Sequence, residues 1–137
     1  MVRERPDLDG LRLVAPGKPD VFLMFDGKRH RIASPQVYDA LWGEVENLVS
    51  SFDVEQIAEG FELGEGTCLI RPDGDITIHL LVSPAPGEIV RCFIPTYESL
   101  LDFAFDEGRV RNVPRLLIEA VPPGPELVSA ADRAQGG

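Results

Sequence analysis

The chain has 137 residues, 13 Lys plus Arg against 23 Asp plus Glu, a formal net charge of −10 and 44% hydrophobic residues. That length and apolar content suit one compact domain or two small interdependent lobes. The acidity argues against nucleic acid, which needs clustered Lys and Arg, and disfavours an anionic membrane surface; no apolar run reaches the roughly 20 residues of a membrane helix.

Residues 1–9 are polar and charged and read as a flexible leader, without the apolar segment of an export signal. The sequence as it stands reads as cytoplasmic, or as surface or secreted if an export segment preceded it. Residues 11–15 predict a short strand, and Pro16-Gly17-Lys18-Pro19 a turn. Val21-Phe22-Leu23-Met24-Phe25 is an unbroken apolar run, the pattern of a strand buried on both faces. Asp26-Gly27 asks for a two-residue hairpin, because both central positions of that turn take positive φ; residues 28–32 return as the third strand. Ser34 and Pro35 open a helix as N-cap and first helical residue. Tyr38, Leu41, Trp42, Val45, Leu48 and Val49 then recur at helical spacing. A second short helix is expected at Asp53, where Asp-x-x-Gln resembles a capping box, with Gly60 ending it.

The same plan then recurs. Residues 68–71 predict a strand, 72–75 a turn, 76–82 the long strand and 89–94 the return, with a Pro-rich loop over 83–88 in place of Asp26-Gly27. Thr96 caps a helix with Tyr97, Leu100, Leu101, Ala104 and Phe105 on its apolar face. Residues 113–115 lead into a closing motif. The tail, 128–137, is poor in bulky apolar residues and reads as disordered. The correspondence holds residue by residue: 54–63 and 118–127 share [VI]-E-x-[IV]-x-x-G-x-E-L, 10–16 match 66–72, and 29–32 match 91–94, in the same order. Two units follow, 10–65 and 66–127. Domains of about 55–65 residues are marginal in burial, so the units are expected to share a core. The expected fold class is α+β: two pseudo-symmetric repeats, each a small antiparallel β-meander followed by a helix.

Each unit resembles a bacterial tandem repeat with the plan G-x-x-[LI]-[IV], then V-Y-L-I-x-D-G-x-[KR]-R-x-[IV]-P-[ST], then [IV]-P-x-G-P-x-L. The carriers are residues 10–14, 21–27, 28–34 and 60–63 in the first unit, and 66–70, 78–82, 91–96 and 121–127 in the second. Such repeats are accessory modules found beside hydrolases or in surface proteins. The resemblance implies attachment or recognition, and brings no ligand or catalytic residue with it.

His30 and His79 are the only histidines. Each stands in a predicted strand, His79 at the place of Phe22, and both read as structural. No Gly-x-Ser-x-Gly, His-Glu-x-x-His or Gly-rich phosphate loop occurs. Acidic pairs such as Glu44 and Glu46, Glu62 and Glu65, or Asp73 and Asp75 read as solvated surface, although paired carboxylates are what glycoside hydrolysis uses. Asp73-Gly74-Asp75 lacks the further ligands of a calcium loop. Cys68 and Cys92 have no metal spacing and read as buried thiols, with a disulfide between neighbouring strands as the alternative. Gly60 and Gly124 read as turn or cap residues. No metal, cofactor or enzymatic activity is expected.

The candidate ligand-binding residues are Arg29, Arg31, Tyr38, Trp42, Arg91 and Tyr97. Arginine offers a planar donor fork, and aromatic rings stack on sugars or anchor interfaces. Arg29 recurs as Arg91, which also fits a structural pairing with the repeated Glu55 and Glu119, or Glu62 and Glu126. Trp42 stands out as a partly exposed anchor. The expected function is a non-catalytic recognition or attachment module for a glycan, a cell-envelope component or a surface protein, bound along a groove between the units. The alternative is an intracellular acidic adaptor or toxin-neutralising protein that docks a basic protein surface. A small hydrolase using paired carboxylates ranks third. The partner is thus a glycan or a protein, without nucleic acid or membrane insertion, and no oligomeric state is implied.

Overall fold

A computed structural model describes residues 2–43 and 47–136. In the first unit β1 (Arg12–Val14), β2 (Val21–Phe25) and β3 (Lys28–Arg31) form an antiparallel meander, α1 (Pro35–Leu41) follows, and β4 (Val49–Ser50) lies parallel to β1. In the second, β5 (Cys68–Pro72), β6 (Ile78–Val82) and β7 (Val90–Ile94) form the meander, α2 (Tyr97–Asp102) follows, and β8 (Arg111–Val113) lies parallel to β5. The two four-stranded sheets have the same order, β3-β2-β1-β4 and β7-β6-β5-β8. The fold is α+β in two pseudo-symmetric units, completed by α3 (Arg115–Ala120) and α4 (Ala130–Gly136).

Local chemistry explains the meanders. In β2 the alternation of a strand sends Leu23 and Phe25 to one face and Phe22 and Met24 to the other, and all are buried. Asp26 and Gly27 adopt φ 55° and 72°, the two positive values of a type I′ hairpin. The Ser34 hydroxyl accepts from the Val37 N–H at 3.3 Å and the Thr96 hydroxyl from the Ser99 N–H at 3.0 Å, so both helices are capped where the sequence predicts.

One core joins the units. Leu23, Phe25, Leu41 and Trp42 of the first pack with Leu69, Leu80, Phe103 and Leu127 of the second, each at 0% exposure. A satellite cluster of Leu13, Phe22, Met24, Val54 and Ile57 packs on the outer face of the first sheet, with Leu8 of the leader against it. Among the described residues the second sheet carries no such cluster on its outer face.

Each unit ends in an extended segment laid along its third meander strand by the same hydrogen bonds. Arg29 N–H donates to Ala58 O and Gly60 N–H to Arg29 O, both at 2.9 Å; Arg91 N–H donates to Pro122 O at 3.0 Å and Gly124 N–H to Arg91 O at 2.9 Å. Gly60 and Gly124 are therefore not helix caps, and neither has positive φ. They are close-approach positions. A Cβ on Gly60 would lie 2.3 Å from His30 Cε1, and one on Gly124 would lie 2.7 Å from Val90 Cγ2.

The predicted helix through Val49 is shorter than its periodicity. Trp42 is already extended (φ −132°, ψ 143°), Asn47 takes φ 65°, and Val49 belongs to β4. Val45 and the Glu44 and Glu46 pair lie outside the described residues. The helix expected at Asp53 is one 3-10 turn, Val54–Gln56, without a side-chain cap; the Asp53 carboxylate takes Ser51 and Arg5 instead. The leader is not loose. Arg3 N–H donates to Gln56 O at 2.9 Å, and Ala58 N–H donates to Arg3 O and Arg5 N–H to Gly27 O, both at 2.7 Å. The second unit has Pro122 where the first has Ala58, so that edge lacks the N–H the leader uses.

The tail is not disordered either. It forms α4, where the Ser129 hydroxyl accepts from Asp132 N–H at 3.0 Å and donates to Asp102 at 2.6 Å, while Arg133 pairs with the buried Asp9 at 3.1 Å. Polar contacts hold this helix, which is why a scan for bulky apolar residues overlooks it. Cys68 and Cys92 are free thiols on β5 and β7, with β6 between them, so they are not on neighbouring strands. Burial pushes the Cys92 thiol pKa up to about 12. Among the described residues no helix is long and apolar enough to cross a membrane.

Candidate functional site

Trp42 and Tyr38 are core residues, not exposed anchors. Trp42 is completely buried, and its indole N–H donates to Phe103 O at 2.9 Å across the unit boundary. The Arg12 guanidinium lies 5.1 Å from its ring and donates to the buried Tyr38 hydroxyl. The early end of α1 turns residue 42 into the shared core, where the indole finds the one partner it needs. Arg12 went unnoticed in the sequence because it sits among apolar residues in a very short strand.

Arg29 and Arg91 occupy equivalent structural places. Arg29 Nε donates to Ile57 O at 3.0 Å. Arg91 Nε donates to Val121 O at 2.8 Å and to Ile118 O at 2.9 Å. Ile57 and Val121 are the same position of the closing motif. The recurring arginine is thus fixed by backbone carbonyls, not by Glu55 and Glu119 or Glu62 and Glu126. Glu55 pairs with Lys18. Arg31 is held between Asp20 at 3.3 Å and Glu62 at 3.2 Å. His30 is structural as expected: its ring stacks on Phe25 at 3.7 Å, and its nitrogens lie 2.9 and 3.1 Å from the carbonyls of Phe61 and Phe25.

The six residues do not converge on a groove between the units. The cavity there, of about 470 Å³, is lined by the 62–67 segment and the loop after β6, and holds none of them. Tyr97 keeps an exposed ring, at 60% exposure. As the first residue of α2 it shares an outward side with Leu101 one turn on, while Ser99 and Leu100 face inward. It stands on the rim of a cavity of about 340 Å³ in the second unit, with Arg71, Ile76, Thr77, Phe93 and Glu107. A second cavity of about 310 Å³ adjoins it: Thr77 and Phe93 line both, and His79, Arg91 and Glu126 complete it. These paired cavities are the candidate site.

No family model, curated protein or solved structure matches this chain.

The site's chemistry follows from strand alternation. His79 and Phe93 are register partners on β6 and β7 and share the outer face, while Leu80 and Cys92 face the core. Their rings lie 5.3 Å apart. Burial, and then the charge of Arg91, lower the His79 pKa, so its imidazole is neutral at pH 7. The Thr77 and Ile76 N–H groups donate to Asp75, holding its pKa below the usual carboxylate value and fixing the loop that presents Ile76. Two cations, Arg71 and Arg91, therefore balance two anions, Glu107 and Glu126, around aromatic walls. Among the described residues no group of three or more His, Cys, Asp or Glu is placed to hold a metal ion. The exchange of Phe22 for His79 marks this face in the sequence.

Proposed function

We propose that this chain is a non-catalytic recognition module that binds a glycan at the paired cavities of its second unit. The observation that carries this reading is the exposed Tyr97 ring on the rim of a cavity framed by Arg71, Thr77 and Glu107. A flat ring takes the C–H face of a sugar, while fixed donors and acceptors beside it take the hydroxyls. The resemblance of each unit to bacterial accessory repeats supports an attachment role. The test is a titration of envelope and storage polysaccharide fragments against Tyr97→Ala and Tyr97→Phe. Tyr97→Phe keeps the ring and retains binding; Tyr97→Ala weakens it by roughly tenfold or more, the loss of one stacking contact. Circular dichroism of both variants matches the parent, because the side chain is mostly exposed. Equal affinity in Tyr97→Ala would sink the reading.

A second reading, an acidic protein that docks a basic partner surface, is favoured by the net charge of −10 and by exposed Leu101 and Leu116 on the same unit. Attachment of that kind weakens as salt rises, whereas a neutral glycan is indifferent to it. Capture from lysate and envelope fractions at low and high salt separates the two.

A further inference from the structure

The glycan reading above is the footing for a sharper inference, which concerns the cavity beside His79. At one buried position the outer faces of the two sheets differ in polarity. In the first unit Phe22 lies under the Arg29 guanidinium, 5.0 Å from it, and helps to close the satellite cluster. In the second unit the counterpart is His79, only 5% exposed, whose Nδ1 is sealed from solvent and has no hydrogen-bond partner. That atom is closed to a ligand as it is to water, so the ring meets the cavity through its other edge. The arginine changes as well. Arg29 Nη1 lies 3.9 Å from Glu59, but the position equivalent to Glu59 is Pro123, which carries no charge. Arg91 keeps its two carbonyl anchors through Nε and faces the cavity with Thr77, Phe93 and Glu126.

We propose that this cavity is the second subsite of a neutral oligosaccharide site, seating the sugar unit next to the one stacked on Tyr97. The mixture of groups selects the ligand class. Each sugar hydroxyl both donates and accepts, which matches a guanidinium donor set against a carboxylate acceptor, with an imidazole able to serve either way. An anionic ligand meets Glu107, Glu126 and the net charge of −10; a cationic one meets Arg71 and Arg91. A neutral polyol satisfies both signs at once. The cavities share Thr77 and Phe93, so adjacent sugar units reach both without a gap, and at about 340 and 310 Å³ each has room for one pyranose ring.

The test uses the full chain and calorimetric titration with cello-, malto- and chito-oligosaccharides of one to four units. For the series that binds, affinity is expected to rise by roughly tenfold from monosaccharide to disaccharide, the worth of one or two added hydrogen bonds. His79→Phe installs the residue that the first unit already carries under its arginine, so the fold is kept and that increment is lost. Glu126→Gln reduces the increment without changing the thermal midpoint. Persistence of the full increment in His79→Phe, or tighter binding of uronic disaccharides than of neutral ones, overturns the second subsite and leaves the Tyr97 reading standing. Absence of binding by every series, with no effect of Tyr97→Ala on any captured material, overturns both.

Discussion

At Gly60 a single methyl group has nowhere to go. His30 is pinned by its stack on Phe25, by the Phe61 ring at 4.6 Å and by carbonyls opposite both nitrogens, so the ring cannot retreat from a Cβ placed 2.3 Å away. Gly60→Ala is expected to cost about 3 kcal/mol or more, the upper range for overpacking a well-filled site. Gly124→Ala meets Val90, a half-buried residue at the start of β7 that can shift, and should cost about 1–2 kcal/mol. Urea unfolding of the two variants checks the order, and equal losses would contradict it. The histidines also set an acid response. Burial holds the folded pKa of both His30 and His79 below the ordinary 6.5, so the unfolded chain takes up protons first as pH falls. Stability from neutral imidazoles is full above about pH 7 and declines as pH drops below about 6.5, before carboxylates of ordinary pKa begin to titrate. The urea midpoint at pH 5 should lie below that at pH 7.5, and His79→Phe should narrow the gap. An unchanged midpoint would show that neither ring resists protonation.

At the scale of elements, what was legible depended on how local the cause is. The β2 run, the Asp26-Gly27 hairpin and the Ser34 and Thr96 caps are each decided within a few residues, and the fold follows them. β4 and β8 have two and three residues, and what makes them strands is parallel pairing with β1 and β5, far away in sequence. Val49 therefore looked like the next turn of a helix. Trp42 misled for a related reason: its spacing fits a helical face, but the chain leaves the helix first and spends the ring on the shared core. The site was half legible. Tyr97 stood out as an aromatic after a cap, whereas its cavity is assembled from Arg71, Phe93 and Glu107, which no spacing rule groups together. His79 was visible only as a departure between two otherwise matching strands.

The whole molecule depends on both units being present. Each sheet covers its apolar side with residues of the other unit, and the Trp42 indole bonds to a carbonyl in the second. Residues 1–65 alone should show no cooperative thermal unfolding, and neither should 66–137, since either half exposes the face that the other buries. A sharp transition in one isolated half would show that the shared core is dispensable. The units are alike in topology but differ in what lines the outer face: a cavity of about 390 Å³ beside Phe22 and Arg29 in the first has its counterpart beside His79 and Arg91 in the second.

Pro122 has a consequence beyond the single chain. The leader enters the first unit through the Ala58 N–H, and the second unit offers no equivalent donor. A leader that strays to a neighbouring molecule has one kind of edge to join, the one its owner has just vacated. Such exchange joins one leader to one receiving edge per molecule, so it closes as a reciprocal pair or ring, or runs on head to tail, and it cannot branch.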